Sequence, residues 1–391
     1  MPLTPIDSFT VDHPGTDKRT VQFLWGDLTQ LASTDEVDVL VVSCLPDDYT
    51  PTPGTLVGAL AQAGVSVEAL AQHKAADYRP LLPCWISQPV AAPGPGIRFK
   101  RILVFEPADP LADALAAAWS VFQALACFSP STPVSVATPL VCAGTRGADP
   151  ADALSALTWA AAHYGSSNTT QLSTVKVVAL TQDAGSRLGP TFIAIKDDYD
   201  KVFELDLPDP YRDCVECARK HIDGTQLPAS LTYRQALAVC VYTTNYYTQI
   251  NGVLRQGPTG PDWRRMFPLV EAIDSGLWNM KVHAGKSLRG EHMSDARLKQ
   301  QTVGHQITNT AYTSASTDKP FTGQGVNTQT TIDGKTGVEV WDYSVFRDED
   351  EVLFHREFTY QVDTVKLVSA DAWQFGVHEV VADPCGGPHD A

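Results

Sequence analysis

The chain has 391 residues, with 29 Lys and Arg against 45 Asp and Glu, giving a formal net charge of −16. This acidic balance, spread over both halves, disfavours a nucleic-acid or anionic-membrane partner held by bulk electrostatics, and no run approaches the ~20 apolar residues of a membrane span. Hydrophobic residues make up 43% and charged residues 19%, so disorder is excluded as the main theme, and at about 150 residues per domain the length suggests two domains.

The first residues (MPLTPIDSFTVDHPG) are polar and broken by proline, unlike a conventional signal peptide. The expectation is a cytoplasmic protein, or one exported by a route that leaves no such signal. Val37–Val42, Arg101–Phe105, Val134–Ala137 and Thr174–Leu180 are β-branched apolar runs and predict buried strands. Between them, Leu56–Ala63, Ala112–Cys127 and Ala151–His163 carry the i, i+3, i+4 spacing of amphipathic helices. The alternation predicts a three-layer α/β module with a mainly parallel sheet over residues 1–200. The APGPG run at 92–96 predicts a turn within a hairpin.

Residues 201–227 read as a linker, and the texture then changes. Helices are predicted over Leu231–Arg255 and Trp263–Asn279, followed by short strands rich in Thr, Val, Tyr and Phe, with a turn at Thr331–Gly334. Helices followed by strands predict an α+β domain with an antiparallel sheet over 228–391, frayed from Asp383 onward.

The eight cysteines give no disulfide framework in a chain this long. Cys44, Cys84, Cys127, Cys142 and Cys240 sit singly in apolar stretches and read as buried thiols. Cys214 and Cys217 with His221 supply three candidate zinc ligands where a structural site wants four. Plain thiols on a helix, and no metal, are the expectation.

Three segments of the C-terminal half carry chemistry together. They are Ser287-Leu288-Arg289-Gly290, then Tyr312-Thr313-Ser314-Ala315-Ser316, then Glu349-Asp350-Glu351-Val352-Leu353-Phe354. Alone, each is a strand end, a turn or a solvated acidic loop. In this order they resemble the arginine–serine–glutamate class of mono-ADP-ribosyltransferases, whose pattern is Arg-Gly, then aromatic-x-Ser-Thr-Ser, then Glu-x-Glu before Val-Leu. The helix carrying Tyr242-Thr243-Thr244-Asn245-Tyr246-Tyr247 and Ile250-Asn251-Gly252-Val253-Leu254-Arg255 is similar to one that precedes the site in that family, and the resemblance spans residues 228–370. Ala315 stands where the family has the middle Thr.

The resemblance implies NAD as substrate, nicotinamide as leaving group, and no metal. It implies that Arg289 grips the pyrophosphate with its planar fork. Gly290 would let backbone approach the nicotinamide, Ser314 would orient Glu351, and Phe321 would stack on the nicotinamide ring. Glu351 would accept the ribose 2′-hydroxyl hydrogen bond and hold charge against an oxocarbenium-like cation. Glu349, two before the catalytic Glu, goes with arginine as acceptor, since a carboxylate pairs with a guanidinium and aims its nitrogen. Tyr343 and Phe346 are candidate contacts to the target protein.

In the N-terminal half, Gly26-Asp27-Leu28-Thr29 followed by Val37–Val42, together with Gly54–Leu60 and Pro139–Ala148, resembles a divergent macrodomain, an ADP-ribose-binding fold. It departs at Val42 and Leu45, where the family has an Asn pair, and at Arg146, where it has a stacking aromatic. It also lacks an acidic residue near Val57. An enzyme that removes ADP-ribose is therefore not expected. Asp27 is placed to receive an adenine amino group or to cap a helix beginning near Leu28. Gly144 and Gly147 are candidate phosphate holders, and a ligand-free scaffold stays open.

The reading is a transferase that moves ADP-ribose from NAD to an arginine of a target protein, in the manner of a toxin or secreted effector. The rivals are an ADP-ribose reader with an inactive transferase half, and an NAD glycohydrolase.

Overall fold

The computed structural model describes residues 2–13, 18–79, 81–91, 96–107, 114–128, 133–141, 143, 147–166, 171–204, 211–257, 260, 262–323, 325–369 and 371–381. The chain divides into two compact units, Met1–Lys201 and Val202–Ala382.

The first unit contains β1 (Thr4–Val11), β2 (Arg19–Trp25), β3 (Val37–Ser43), α1 (Leu56–Gln62), α2 (Val67–Ala71), β4 (Lys74–Asp77), β5 (Cys84–Ser87), β6 (Phe99–Phe105), α3 (Ala114–Phe128), β7 (Val134–Pro139), α4 (Pro150–Ser166), β8 (Leu172–Ala179) and α5 (Gln182–Asp200). The strands form an eight-stranded sheet in the order β1-β2-β8-β7-β3-β6-β5-β4. Its centre, from β2 to β6, is parallel, while β1, β5 and β4 are added antiparallel. Leu40, Val42, Ile102, Val104, Ala137 and Val178 pack with Val57 and Leu60 of α1 and Val67 of α2. Alternate residues Val39, Val41, Leu103 and Val177 are equally buried and lie on the opposite face by the strand period of two. On that face Phe23 stacks on Phe192 of α5 with ring centroids 5.6 Å apart. Strands covered on both sides explain why the predicted runs are continuously apolar.

Several expectations change here. The proline-broken N-terminus forms a full strand, β1, because it pairs along β2. The helix α5 was not foreseen, since its sequence is polar and holds Gly185, Gly189 and Pro190. Those glycines face inward: a Cβ on Gly185 would lie 2.8 Å from the Ile6 side chain and 3.1 Å from that of Trp25. Cys127, expected as a buried thiol, is disulfide-bonded. The 92–95 turn, Cys142, Gly144, Arg146 and the chain beyond Val381 lie outside the described residues.

The second unit contains α6 (Cys214–Asp223), α7 (Tyr233–Thr243), α8 (Tyr247–Gln256), α9 (Trp263–Trp278), β9 (Val282–Glu291), α10 (Asp295–Gln300), β10 (Gln306–Asn309), β11 (Thr313–Ser316), β12 (Thr328–Glu339), β13 (Glu351–Phe354), β14 (Phe358–Ser369) and β15 (Ala372–Glu379). The stretch expected as a linker holds α6, whose Val215, Ala218 and Ile222 join the core formed by α7, α8 and α9. The single helix predicted over Leu231–Arg255 is two. Thr244 turns extended, its hydroxyl bonds the Val241 carbonyl at 2.6 Å and it accepts the Tyr246 N–H at 3.2 Å. A threonine side chain thus takes over backbone partners and ends the helix.

The seven strands run β10-β14-β15-β12-β13-β11-β9, with β12 also pairing β9. The sheet is antiparallel except for β12 and β15, which pair parallel. Thr331–Gly334, expected as a turn, lies inside β12, which is held by β9 on one side and β15 on the other. Gly334 is there for packing, since a Cβ would come within 2.7 Å of the Phe354 ring. β9 pairs β12, β12 pairs β13, β13 pairs β11, and β11 meets β9 at Ser316 and Leu288. These four strands close a ring of pairings, and Arg289, Ser314 and Glu351 stand on it. Val352 and Phe354 pack into one core and Leu353 into the other, beneath the helices. By alternation Glu351 shares the face of Leu353. Among the described residues, no helix is long and apolar enough to cross a membrane.

Candidate active site

Arg289 lies on β9, Ser314 on β11 and Glu351 at the first position of β13. All three line one cavity of about 810 Å³, with Gly290, Phe321 and Glu349 also in its wall. The Ser314 hydroxyl donates to Glu351 Oε1 at 2.6 Å, and Glu351 is 7% exposed. Burial pushes its carboxyl up to about 7, and Glu349 adds to the rise; the hydrogen bond from Ser314 and the charge of Arg289 pull the other way. The site therefore holds a carboxylate at an energetic disadvantage, which a nearby cation would relieve.

Arg289 is fixed by its own strand and its neighbour. Nε donates to Glu291 Oε1 at 3.0 Å, and Nη1 donates to the Ser314 carbonyl. Glu291, two residues on and on the same strand face, is also held by Arg297 Nη1 at 2.8 Å. Burial alone would raise the Glu291 carboxyl, but Arg289 and Arg297 outweigh it and bring it down to about 2. Arg289 Nη2 also donates to Glu291 Oε2 at 3.4 Å, so Glu291 locks a guanidinium that lines the cavity.

Gly290 meets a steric demand. A Cβ there would lie 1.8 Å from the Phe321 carbonyl oxygen, so no side chain fits without moving that backbone. Phe321 is 66% exposed at the cavity mouth, and its ring lies over Gly323, where a Cβ would come within 2.3 Å.

Glu349 ends a short 3-10 turn, Arg347–Glu349, and is exposed, whereas Glu351 is buried. Between them Asp350 adopts a left-handed conformation, φ 42°, which Asp tolerates better than most residues. That twist separates the two carboxylates, one at the rim and one at the floor. Tyr242 and Tyr247 complete the wall on the helical side. Tyr242 accepts a hydrogen bond from Asn251 at 3.0 Å and packs edge-on against Tyr312. Tyr312 in turn donates to Asp274, which also holds Arg356 at 2.6 Å.

One residue that holds Arg289 in place escaped the sequence reading. Glu291 had a usable signal, because Arg-x-Glu on a strand places both side chains on one face. Cys214 and Cys217 are free thiols, and among the described residues no group of three or more His, Cys, Asp or Glu is placed to hold a metal ion.

In the first unit, Asp27 Oδ1 accepts the Thr29 N–H at 2.8 Å and the Thr29 hydroxyl at 2.7 Å. It caps a turn there, and no helix begins at Leu28. Gly147 is exposed with φ +79°, and Gly144 lies outside the described residues.

Residues 223–383 match the family described as ADP-ribosyltransferase exoenzyme. Among curated proteins, a putative NAD(+)–arginine ADP-ribosyltransferase, Mav, of Mycobacterium avium is 32% identical over 120 residues, 30% of this chain and 14% of that protein. The NAD(+)–protein-arginine ADP-ribosyltransferase Tre1 of Serratia proteamaculans is 28% identical over 142 residues, 36% of this chain and 31% of that protein. Exoenzyme T of Pseudomonas aeruginosa is 31% identical over 149 residues, 35% of this chain and 29% of that protein. The chain thus spans less than a third of the length of each of these relatives. On these findings the C-terminal part of the chain matches the ADP-ribosyltransferase exoenzyme family.

Proposed function

We propose that the second unit transfers ADP-ribose from NAD to an arginine side chain of a target protein and releases nicotinamide. The observation that carries this reading is the buried Glu351 carboxylate, held by Ser314 at 2.6 Å, facing the same cavity as the locked Arg289. A cavity of about 810 Å³ suits a ligand of dinucleotide size. Arg289 binds the pyrophosphate. The bond between ribose C1′ and the nicotinamide nitrogen breaks, and its electron pair leaves with nicotinamide. Glu351, hydrogen-bonded to the 2′-hydroxyl, stabilises the ribosyl cation. A guanidine nitrogen held at Glu349 then bonds to C1′ and loses its proton to that carboxylate or to water. The matched relatives named as arginine ADP-ribosyltransferases support arginine as acceptor. Likeness to Exoenzyme T and to an Aeromonas salmonicida ADP-ribosyltransferase toxin supports a role as a toxin or secreted effector.

The test separates transfer from hydrolysis. In Glu349→Gln, labelled ADP-ribose on a small guanidine such as agmatine should fall about a hundredfold, the loss of one charge-assisted bidentate contact. NAD hydrolysis should persist within a few fold. Its acid limb should move down in pH, because Glu349 helps raise Glu351. Equal loss of both activities would sink the acceptor role.

For the first unit the proposed function is ADP-ribose binding by a macro-like module. Support comes from the parallel sheet, whose chain order reverses between β3 and β7, the kind of switch point where open α/β sheets bind ligands beyond the strand carboxyl ends. Gly147 lies in the segment after β7. Titration of ADP-ribose into the full chain should show a binding event that Gly147→Glu removes with NAD cleavage unchanged. Binding that is unaltered by that substitution contradicts the assignment.

A further inference from the structure

A second cavity, of about 580 Å³, is lined by His221, Val345, Phe346, Arg347, Asp348 and Glu349. His221 comes from α6, and the others belong to the turn between β12 and β13. Phe346 and Glu349 line this cavity and the catalytic one alike. The turn is therefore a partition, and Glu349 is within reach from either side of it. Hydrogen bonds fix the partition: Val345 N–H donates to Thr243 Oγ1 at 3.2 Å, and Glu349 N–H to the Phe346 carbonyl at 3.2 Å. Arg347, Asp348 and Glu349 are exposed. His221 Nε2 is shielded from solvent and has no hydrogen-bond partner among the described residues, so the imidazole carries unused hydrogen-bonding capacity.

A free guanidine such as agmatine needs only the NAD cavity and Glu349. An arginine within a protein brings its neighbours in sequence, spaced about 3.3–3.6 Å apart along an extended chain. With the arginine side chain at Glu349 and NAD in the catalytic cavity, those neighbours have to lie on the other side of the turn. We propose that the second cavity seats the residue of the target protein next to the acceptor arginine, that Asp348 selects a basic side chain there, and that His221 closes the seat from α6 by a hydrogen bond to the bound segment. The proposal rests on the transferase reading above and deepens it to the sequence around the acceptor. Charge decides the occupant. Once the guanidine takes Glu349, Asp348 is the remaining carboxylate of the cavity wall. The chain as a whole carries −16, a field that draws a basic segment toward an acidic turn. Arg347 disfavours a second cation at its own end of the turn, which confines the basic neighbour to Asp348.

The experiment gives the full chain labelled NAD with agmatine or with blocked peptides in which one arginine stands between glycines, between lysines or between glutamates. The native chain should label the lysine-flanked peptide about fivefold more efficiently than the glycine-flanked one, the size of one exposed ion pair. Asp348→Asn should bring that ratio to about one, and Asp348→Lys should turn the preference toward the glutamate-flanked peptide. His221→Ala should lower kcat/KM for the lysine- and glycine-flanked peptides about three- to fivefold, through KM, and His221→Gln should recover most of the loss. Agmatine labelling and NAD hydrolysis should stay within about twofold of native in Asp348→Asn and in both His221 variants. Should His221→Ala fail to fold, the two Asp348 variants decide. Flanking preferences that ignore the Asp348 substitutions overturn the proposal. So does agmatine labelling that falls as far as peptide labelling in a folded variant, or a native chain that labels agmatine but no peptide. A native chain that labels no guanidine at all overturns the transferase reading instead.

Discussion

Replacing Glu351 by Gln is expected to lower NAD cleavage about a thousandfold or more, a barrier increase of about 4 kcal/mol. The reason is that the amide keeps the shape and accepts the Ser314 hydrogen bond but carries no charge to oppose the ribosyl cation. The same change should leave the fold as stable as the native chain, or more so, at pH 8. Glu351 has its carboxyl raised from the usual 4.5 to about 7, first by burial and then by Glu349. A carboxyl raised in the folded state favours the protonated form. Its contribution to stability is therefore fully present below about 4.5 and is lost as pH rises through about 7. Gln removes that loss. Activity has the opposite sign: cleavage by the native chain needs the ionised form and should rise with pH through about 7. Thermal melts and pH–rate profiles of the two proteins check both statements. A Gln variant that cleaves NAD within tenfold of native would assign the catalytic charge elsewhere.

Arg289→Lys should reduce kcat/KM for NAD about a hundredfold, mostly through KM. The guanidinium makes contacts along two directions at once, to Glu291 and to the Ser314 carbonyl, while lining the cavity. An ammonium has one centre and cannot reproduce that fork. Two charge-assisted hydrogen bonds to phosphate, at about 1.5 kcal/mol each, account for a loss of this size. The fold should be little affected, because Glu291 keeps Arg297 at 2.8 Å. Glu291 is depressed to about 2, so its contribution to stability is present above its ordinary range and lost as pH falls toward 2. Equilibrium binding of NAD to Glu351→Gln, with and without Arg289→Lys, isolates the binding loss from chemistry.

The sequence was most informative where chemistry constrains it. Arg289, Ser314, Glu349 and Glu351 come from three segments, and the strands β9, β11 and β13 with the turn before β13 bring all of them to one cavity. The buried parallel strands of the first unit were equally legible, since both faces demand apolar residues. Local patterns failed where tertiary context decided. Thr331–Gly334 has turn chemistry, yet pairing on both edges of β12 keeps it extended. The helix α5 is polar because one face is exposed, and its glycines read as breakers although they fit against Ile6 and Trp25. The break at Thr244 depends on hydroxyl bonds that compete with the helix ladder, which periodicity does not register.

The most direct test of the central claim follows nicotinamide release and the fate of labelled ADP-ribose when the native chain and Glu351→Gln are given NAD and agmatine at pH 8. The account predicts that the native chain releases nicotinamide and places the label on the guanidine, and that Glu351→Gln does neither while remaining folded. Free ADP-ribose as the sole labelled product of the native chain, or no release of nicotinamide by it, would contradict the account.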